Sequence, residues 1–129
     1  MAKGYRLKMT RILFIDDDVL VLQLMSKISS LLGFQVITST SPRKGLALAA
    51  HEKPSVIMVD MQMDEMDGPE FVRALRDSPD IAHLPVLVCS AGNSYVDEEQ
   101  ARRAGADGFL QKPFSLKQIT QVVQAYAAS

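Results

Sequence analysis

The sequence predicts an α/β fold, a doubly wound five-stranded parallel sheet with helices on both faces, and three observations point to it. Short apolar runs alternate five times with longer stretches of helical apolar spacing. The runs are continuously apolar, as strands covered on both faces require. The connections are short, and strands joined through helices in this order pack best as a layered parallel sheet.

Each element has its own signal. Arg11–Asp16 (RILFID) is an apolar strand ending in acids, and Asp18 stands where a helix N-cap belongs. Val19–Leu32 carries helical spacing through Val21, Leu24, Met25, Ile28, Leu31 and Leu32, and Gly33 stops it. Phe34–Thr38 is the second strand. Ser41–Pro42 opens a helix running to about His51, with proline in its first turn. Ser55–Val59 is a third strand running into Asp60. Pro69–Arg76 is a helix, Pro85–Cys89 the fourth strand, and Tyr95–Arg103 a helix closed by Gly105. Gly108–Leu110 is a short fifth strand and Leu116–Ala127 the last helix.

Size and composition fit one domain. At 129 residues the chain can bury a single core, and its 47% apolar and 22% charged content is that of a globular protein. No apolar run is long enough to span a membrane, and the start, MAKGYRLKMT, lacks the apolar stretch of a signal peptide. The single cysteine, Cys89, cannot form an internal disulfide and suits a reducing cytoplasm. Lys3, Arg6, Lys8 and Arg11 are four of fourteen basic residues, so residues 12–129 carry ten basic against fifteen acidic groups, a balance of −5. A domain body of that sign is not built to bind nucleic acid directly. Residues 1–10 read as an N-terminal extension and 11–129 as the domain.

In a parallel sheet of this kind ligands collect at the carboxyl ends of the strands. That is where the chain places Asp16 and Asp17 after the first strand, Asp60 after the third, Ser90 after the fourth and Lys112 after the fifth. Read singly, Ser90 is a turn residue and Lys112 a surface lysine; their joint placement gives them weight. Crowded carboxylates repel unless a proton or cation relieves them. All-oxygen ligands, with no clustered histidine, suit a hard cation such as Mg²⁺. With a lysine and a hydroxyl beside them, these groups fit an acyl-phosphate site built on a carboxylate nucleophile. Asp64, Glu65 and Asp67 read as a solvated loop with charges suited to a helix start. His51 and His83 read as surface residues, Cys89 as buried and inert, and methionines 58, 61, 63 and 66 as packing residues.

The segments ILFIDDD, VIMVDMQMDEMDG, PVLVCSA and GADGFLQKPFS, in this order and spacing, resemble the motifs of two-component response regulator receiver domains. The resemblance runs from about Arg11 to the end of the chain, and it implies a flavodoxin-like (βα)5 fold like that of the chemotaxis regulators. It makes Asp60 the phosphoacceptor, with Mg²⁺ bound by Asp17, Asp60 and the Gln62 carbonyl, and by Asp16 through water. It puts Ser90 and Phe109 at the switch positions, Lys112 at the family's lysine, and a cis peptide at Lys112-Pro113. Three departures stand out: Asp64 where proline is common, Phe109 where tyrosine is frequent, and small Gly92 beside Met61 and Gln62 at positions that tune phosphoryl lifetime. Gly92 suggests a short to moderate lifetime.

The implied partners are a histidine kinase or histidine phosphotransfer protein, docking near the first helix where Val21, Leu24 and Met25 are apolar. A downstream partner or output domain would use the face of the fourth helix, fifth strand and fifth helix. The state would be monomer or phosphorylation-dependent dimer, without membrane contact. The chain ends directly after its last helix, which fits a stand-alone regulator or a module of a longer protein. One rival is enzymatic: LFIDDDV also resembles the first motif of haloacid dehalogenase-like phosphatases, with Asp16 as nucleophile and Asp18 as acid/base. That family needs a later acidic motif, and here Lys-Pro-Phe follows the fifth strand. A receiver-like docking module that takes no phosphate is the other alternative.

Overall fold

A computed structural model describes residues 10–92 and 95–127; the basic residues Lys3, Arg6 and Lys8 lie outside the described residues. Strands and helices alternate in the predicted order: β1 (Arg11–Ile15), α1 (Val19–Leu31), β2 (Gln35–Ser39), α2 (Pro42–Glu52), β3 (Val56–Asp60), α3 (Gly68–Arg76), β4 (Val86–Ser90), α4 (Tyr95–Ala104), β5 (Gly108–Gln111) and α5 (Leu116–Ala127). All four strand pairings are parallel, in the order β2-β1-β3-β4-β5. The strand order reverses direction between β1 and β3, the place where such sheets bind ligands. Among the described residues no helix is long and apolar enough to cross a membrane.

The continuous apolar strands explain the two-sided core. Side chains alternate across a strand, so Leu13, Ile15, Ile57, Val59, Val86 and Val88 face one layer with Phe71, Val72 and Leu75 of α3. Ile12, Phe14, Val56, Met58, Leu87 and Cys89 face the other, against Leu22 and Met25 of α1 and Ile119 and Val123 of α5. Each fully buried aliphatic side chain contributes about 1.5–3 kcal/mol, which sets the strands in register before any polar group counts.

Element ends follow local chemistry. Asp18 caps α1 by accepting the Leu20 N–H, and Gly33, at φ +89°, closes the helix in the left-handed region. The Phe34 N–H bonds back to Ser29 O, so β2 starts one residue later than predicted, at Gln35, whose N–H bonds Thr10 O. Ser41 caps α2 with Pro42 in its first turn. Asp67 and Glu70 form a reciprocal capping box on α3.

The apolar stripe of α1 is rotated from the one the spacing suggested. Leu22, Met25 and Ser29 are buried, whereas Leu20, Leu24 and Leu31 face solvent. Met25, expected at a docking surface, therefore belongs to the core.

Candidate functional site

The carboxyl ends of four strands bring the expected side chains together. Asp16 follows β1, Asp60 ends β3, Ser90 ends β4 and Lys112 follows β5. Asp16 leaves the strand with its N–H still bonded to Ser39 O, and its Oδ1 accepts the Asp18 N–H at 2.9 Å. The loop after β3 returns to the sheet edge because the Met61 N–H bonds Cys89 O at 2.7 Å and the Gly68 N–H bonds Met61 O at 2.8 Å. Gly68 is required by close approach: a Cβ there would sit 2.8 Å from Asp60 O. The Lys112 N–H bonds Ser90 O at 2.8 Å, and the Lys112-Pro113 bond is cis, as expected.

Asp16, Asp17 and Asp60 each offer a carboxylate oxygen, all within 4.8 Å of one another. Lys112 Nζ stands 2.6 Å from Asp16 Oδ2 and 2.6 Å from Asp60 Oδ1. Asp16 and Ser90 are buried, Asp60 and Lys112 are half-buried, and Asp17 is open to solvent. Burial pushes the Asp60 carboxyl above its ordinary pKa; the Lys112 hydrogen bond opposes this, and the charges of Asp16 and Asp17 add to the rise. Burial works against the Lys112 ammonium, but its bonds to Asp16 and Asp60 outweigh that and hold its pKa above the usual lysine value. One cation thus serves two carboxylates, with a third nearby.

A cleft of about 310 Å³ opens beside Asp60, bordered by Gln62, Ser90, Gly92 and Lys112. Ser90 Oγ accepts the Gly92 N–H at 3.2 Å, which leaves its hydroxyl proton to donate elsewhere. Gln62 is exposed on the rim, and Phe109 is half-buried against the α3-side core. A larger open groove of about 1090 Å³ between α1 and α2 holds none of these acids, so size does not mark the chemistry.

Other residues resolve more simply. Asp18 serves as the helix cap expected of it, its Oδ1 accepting the Leu20 N–H at 2.9 Å. His51 and His83 are exposed, and burial raises the Cys89 thiol pKa, keeping it protonated. Met58, Met61 and Met63 are buried packing residues. Glu65 is more than solvated loop: its carboxylate bonds Ser41 Oγ and the Arg43 N–H. Separated from those partners by more than twenty positions in the chain, it gave no local signal.

The family profile described as "Response regulator receiver domain" matches residues 12–124. The chain belongs to the response regulator receiver family: it is a receiver domain of a two-component system, a signalling switch rather than a classical enzyme. It is 27% identical to the polar-differentiation response regulator DivK of Brucella ovis, over 89% of this chain and 94% of that one. Chemotaxis protein CheY4 of Vibrio cholerae shares the fold with a TM-score of 0.84 and 30% identity, covering 92% of this chain and 98% of that one. The receiver domain of the sensor histidine kinase PA1611 from Pseudomonas aeruginosa PAO1, solved with a magnesium ion coordinated in its active site cleft, superposes with a TM-score of 0.85 at 21% identity, covering 94% and 99% of the two chains.

Proposed function

We propose that Asp60 is the phosphoacceptor, taking its phosphoryl group from a phosphohistidine of a histidine kinase or phosphotransfer protein. The observation that carries this reading is the three-carboxylate cluster with Lys112 bridging Asp16 and Asp60 at the mouth of a cleft that Ser90 borders. A P–O bond to Asp60 forms as the donor's P–N bond breaks, the imidazole keeping the electron pair and taking up a proton. Asp16, Asp17 and Asp60 fit a hard cation, since oxygen donors gather without histidine or cysteine ligands; Gln62 would add its carbonyl. Mg²⁺ held there would neutralise charge on the phosphoryl oxygens. Lys112 supplies a fixed positive charge for the same oxygens, and Ser90 donates a hydrogen bond.

On this reading Ser90 moves toward the phosphoryl group and Phe109 follows into the space vacated, biasing the α4-β5-α5 face toward a downstream partner or output domain. Phe109 has no hydroxyl, so this movement acts through packing alone. The donor docks near α1, where Leu20 and Leu24 are exposed at 74% and 53% and Val21 is half-buried. A cytoplasmic location, the domain limits 11–129 and either a monomer or a phosphorylation-dependent dimer belong to the same reading.

The test is intact mass after incubation with acetyl phosphate and Mg²⁺. Wild type should gain about 80 Da, one phosphoryl group, and Asp60→Asn should gain nothing. An adduct retained in the variant, or found on Asp16, would defeat the assignment. Among the described residues nothing lies within 4 Å of where a Gly92 Cβ would sit, which supports access of water to the cleft. After removal of acetyl phosphate the adduct should therefore disappear without a lifetime of many hours.

A further inference from the structure

Glu65 lies in the loop between β3 and α3, yet its carboxylate reaches across to the start of α2. Its Oε1 accepts Ser41 Oγ at 2.9 Å and the Arg43 backbone N–H at 3.0 Å, and Arg43 Nε stands 3.8 Å away. The Arg43 amide belongs to the first turn of α2, where N–H groups have no partner within their own helix. Ser41 already caps the Lys44 amide, so Glu65 acts as a second cap supplied from another element. A carboxylate at this end of a helix also meets the favourable pole of its dipole.

The loop has reason to need that anchor. Its ends are held, by the Met61 and Gly68 amides and by the Asp67–Glu70 capping box. No proline stiffens residues 61–68 between them. Mid-loop, the Asp64 N–H reaches Asp17 Oδ2 at a long 3.4 Å. That tie uses a carboxylate the cation would claim, whereas the Glu65 tie touches no proposed ligand.

We propose that Glu65 is a positioning residue, which clamps the acceptor loop to the amino end of α2 and so holds the Gln62 carbonyl ready for the cation. The inference rests on the cation site proposed above, and its own geometry can be read without metal. Arg43 amide exchange, measured by NMR on metal-free protein, reports the clamp. Titration with MgCl₂ followed by calorimetry reports its consequence, with thermal unfolding to confirm that each variant is folded.

Glu65→Ala and Glu65→Asp, the second keeping the charge but shortening the reach, should expose the Arg43 amide and weaken Mg²⁺ binding by about 3- to 10-fold. Glu65→Gln keeps an acceptor oxygen at full reach and should stay within about 2-fold of wild type. With acetyl phosphate, the loss should fall on the Mg²⁺ concentration giving half-maximal rate, leaving the rate at saturating Mg²⁺ near wild type. The proposal is overturned if alanine and aspartate variants bind Mg²⁺ like wild type, if Glu65→Gln is as weak as Glu65→Ala, or if only the saturated rate falls. Should Glu65→Ala prove too unstable to titrate, Glu65→Asp carries the test. Wild type that binds no Mg²⁺ and takes no phosphoryl group would instead defeat the cation-site reading, with Arg43 exchange still reporting on the clamp.

Discussion

At the carboxyl end of the sheet one ammonium serves two carboxylates with a third close by; at the amino end one guanidinium has a fixed acceptor for each of its nitrogens. There Arg76, leaving α3, donates Nη1 to the carbonyls of Ala82 and Leu84 at 2.7 Å each and Nε to Gly105 O at 3.0 Å. Its Nη2 meets Asp107 Oδ2 at 2.9 Å, and the same oxygen accepts the Val86 N–H where β4 begins. One guanidinium thereby ties α3, the loop before β4 and the approach to β5. Both ends sit on the same strands and the same apolar core, so the contrast is one of electrostatics. The settled end contributes stability. The unsettled end keeps an excess of carboxylates over cations, which a bound metal ion can neutralise, at a cost in stability.

Breaking the settled end should give the largest effect. Arg76→Ala strands three carbonyls and a carboxylate in a partly buried place, and should destabilise by about 3 kcal/mol, read as a lower urea midpoint at unchanged slope. Arg76→Lys should recover only part of this, because an ammonium cannot present the planar fork that reaches all four acceptors. A loss below about 0.5 kcal/mol would mean the clip is an ordinary surface ion pair and the contrast false.

Relieving the unsettled end should move stability the other way. Asp60→Asn removes one of the crowded carboxylates and should stabilise the metal-free protein by about 0.5–2 kcal/mol at neutral pH. The sign follows from the raised pKa of Asp60. A carboxyl that is harder to ionise in the folded state favours folding fully below its unfolded pKa, and that contribution is lost as pH rises through the folded value. Wild type should therefore match the variant most closely in acid and fall behind as pH climbs through the carboxylate range. Added Mg²⁺ should then raise the melting temperature of wild type more than that of Asp60→Asn. Equal melting curves at all pH values would show that the cluster stores no repulsion.

These two ends were not equally legible in the sequence. Asp16, Asp60, Ser90 and Lys112 could be placed together because each terminates an apolar run, and a parallel sheet aligns all such ends on one edge. Asp18 and Gly33 were readable because caps act on the next few residues. The pairing of Arg76 with Asp107 carried no signal in the sequence, since it depends on how α3 lies against the approach to β5. Glu65 was hidden for the same reason. On α1, spacing identified a helix but not its phase, because Leu20, Leu24 and Leu31 are as apolar as the buried Leu22 and Met25. Apolarity alone does not say which stripe faces the core.

A buried hydroxyl at the amino end offers the finest test of the contrast. Ser29, in the last turns of α1, is fully buried, and among the described residues its Oγ is the buried side-chain polar atom without a hydrogen-bond partner. It lies outside the strand-end cluster and the residues proposed to bind phosphate or cation, so nothing in the proposed function needs its hydroxyl. An unpaired buried hydroxyl carries a desolvation penalty that alanine lacks, and alanine also favours the helix. Ser29→Ala should thus stabilise the domain by about 1 kcal/mol, visible as a higher urea midpoint with acetyl phosphate labelling unchanged. The void left by one oxygen works against this gain, but it is smaller than a methyl-sized cavity. If the variant were instead destabilised, the Ser29 hydroxyl would be contributing to the fold, and the settled character of the amino end would extend to it.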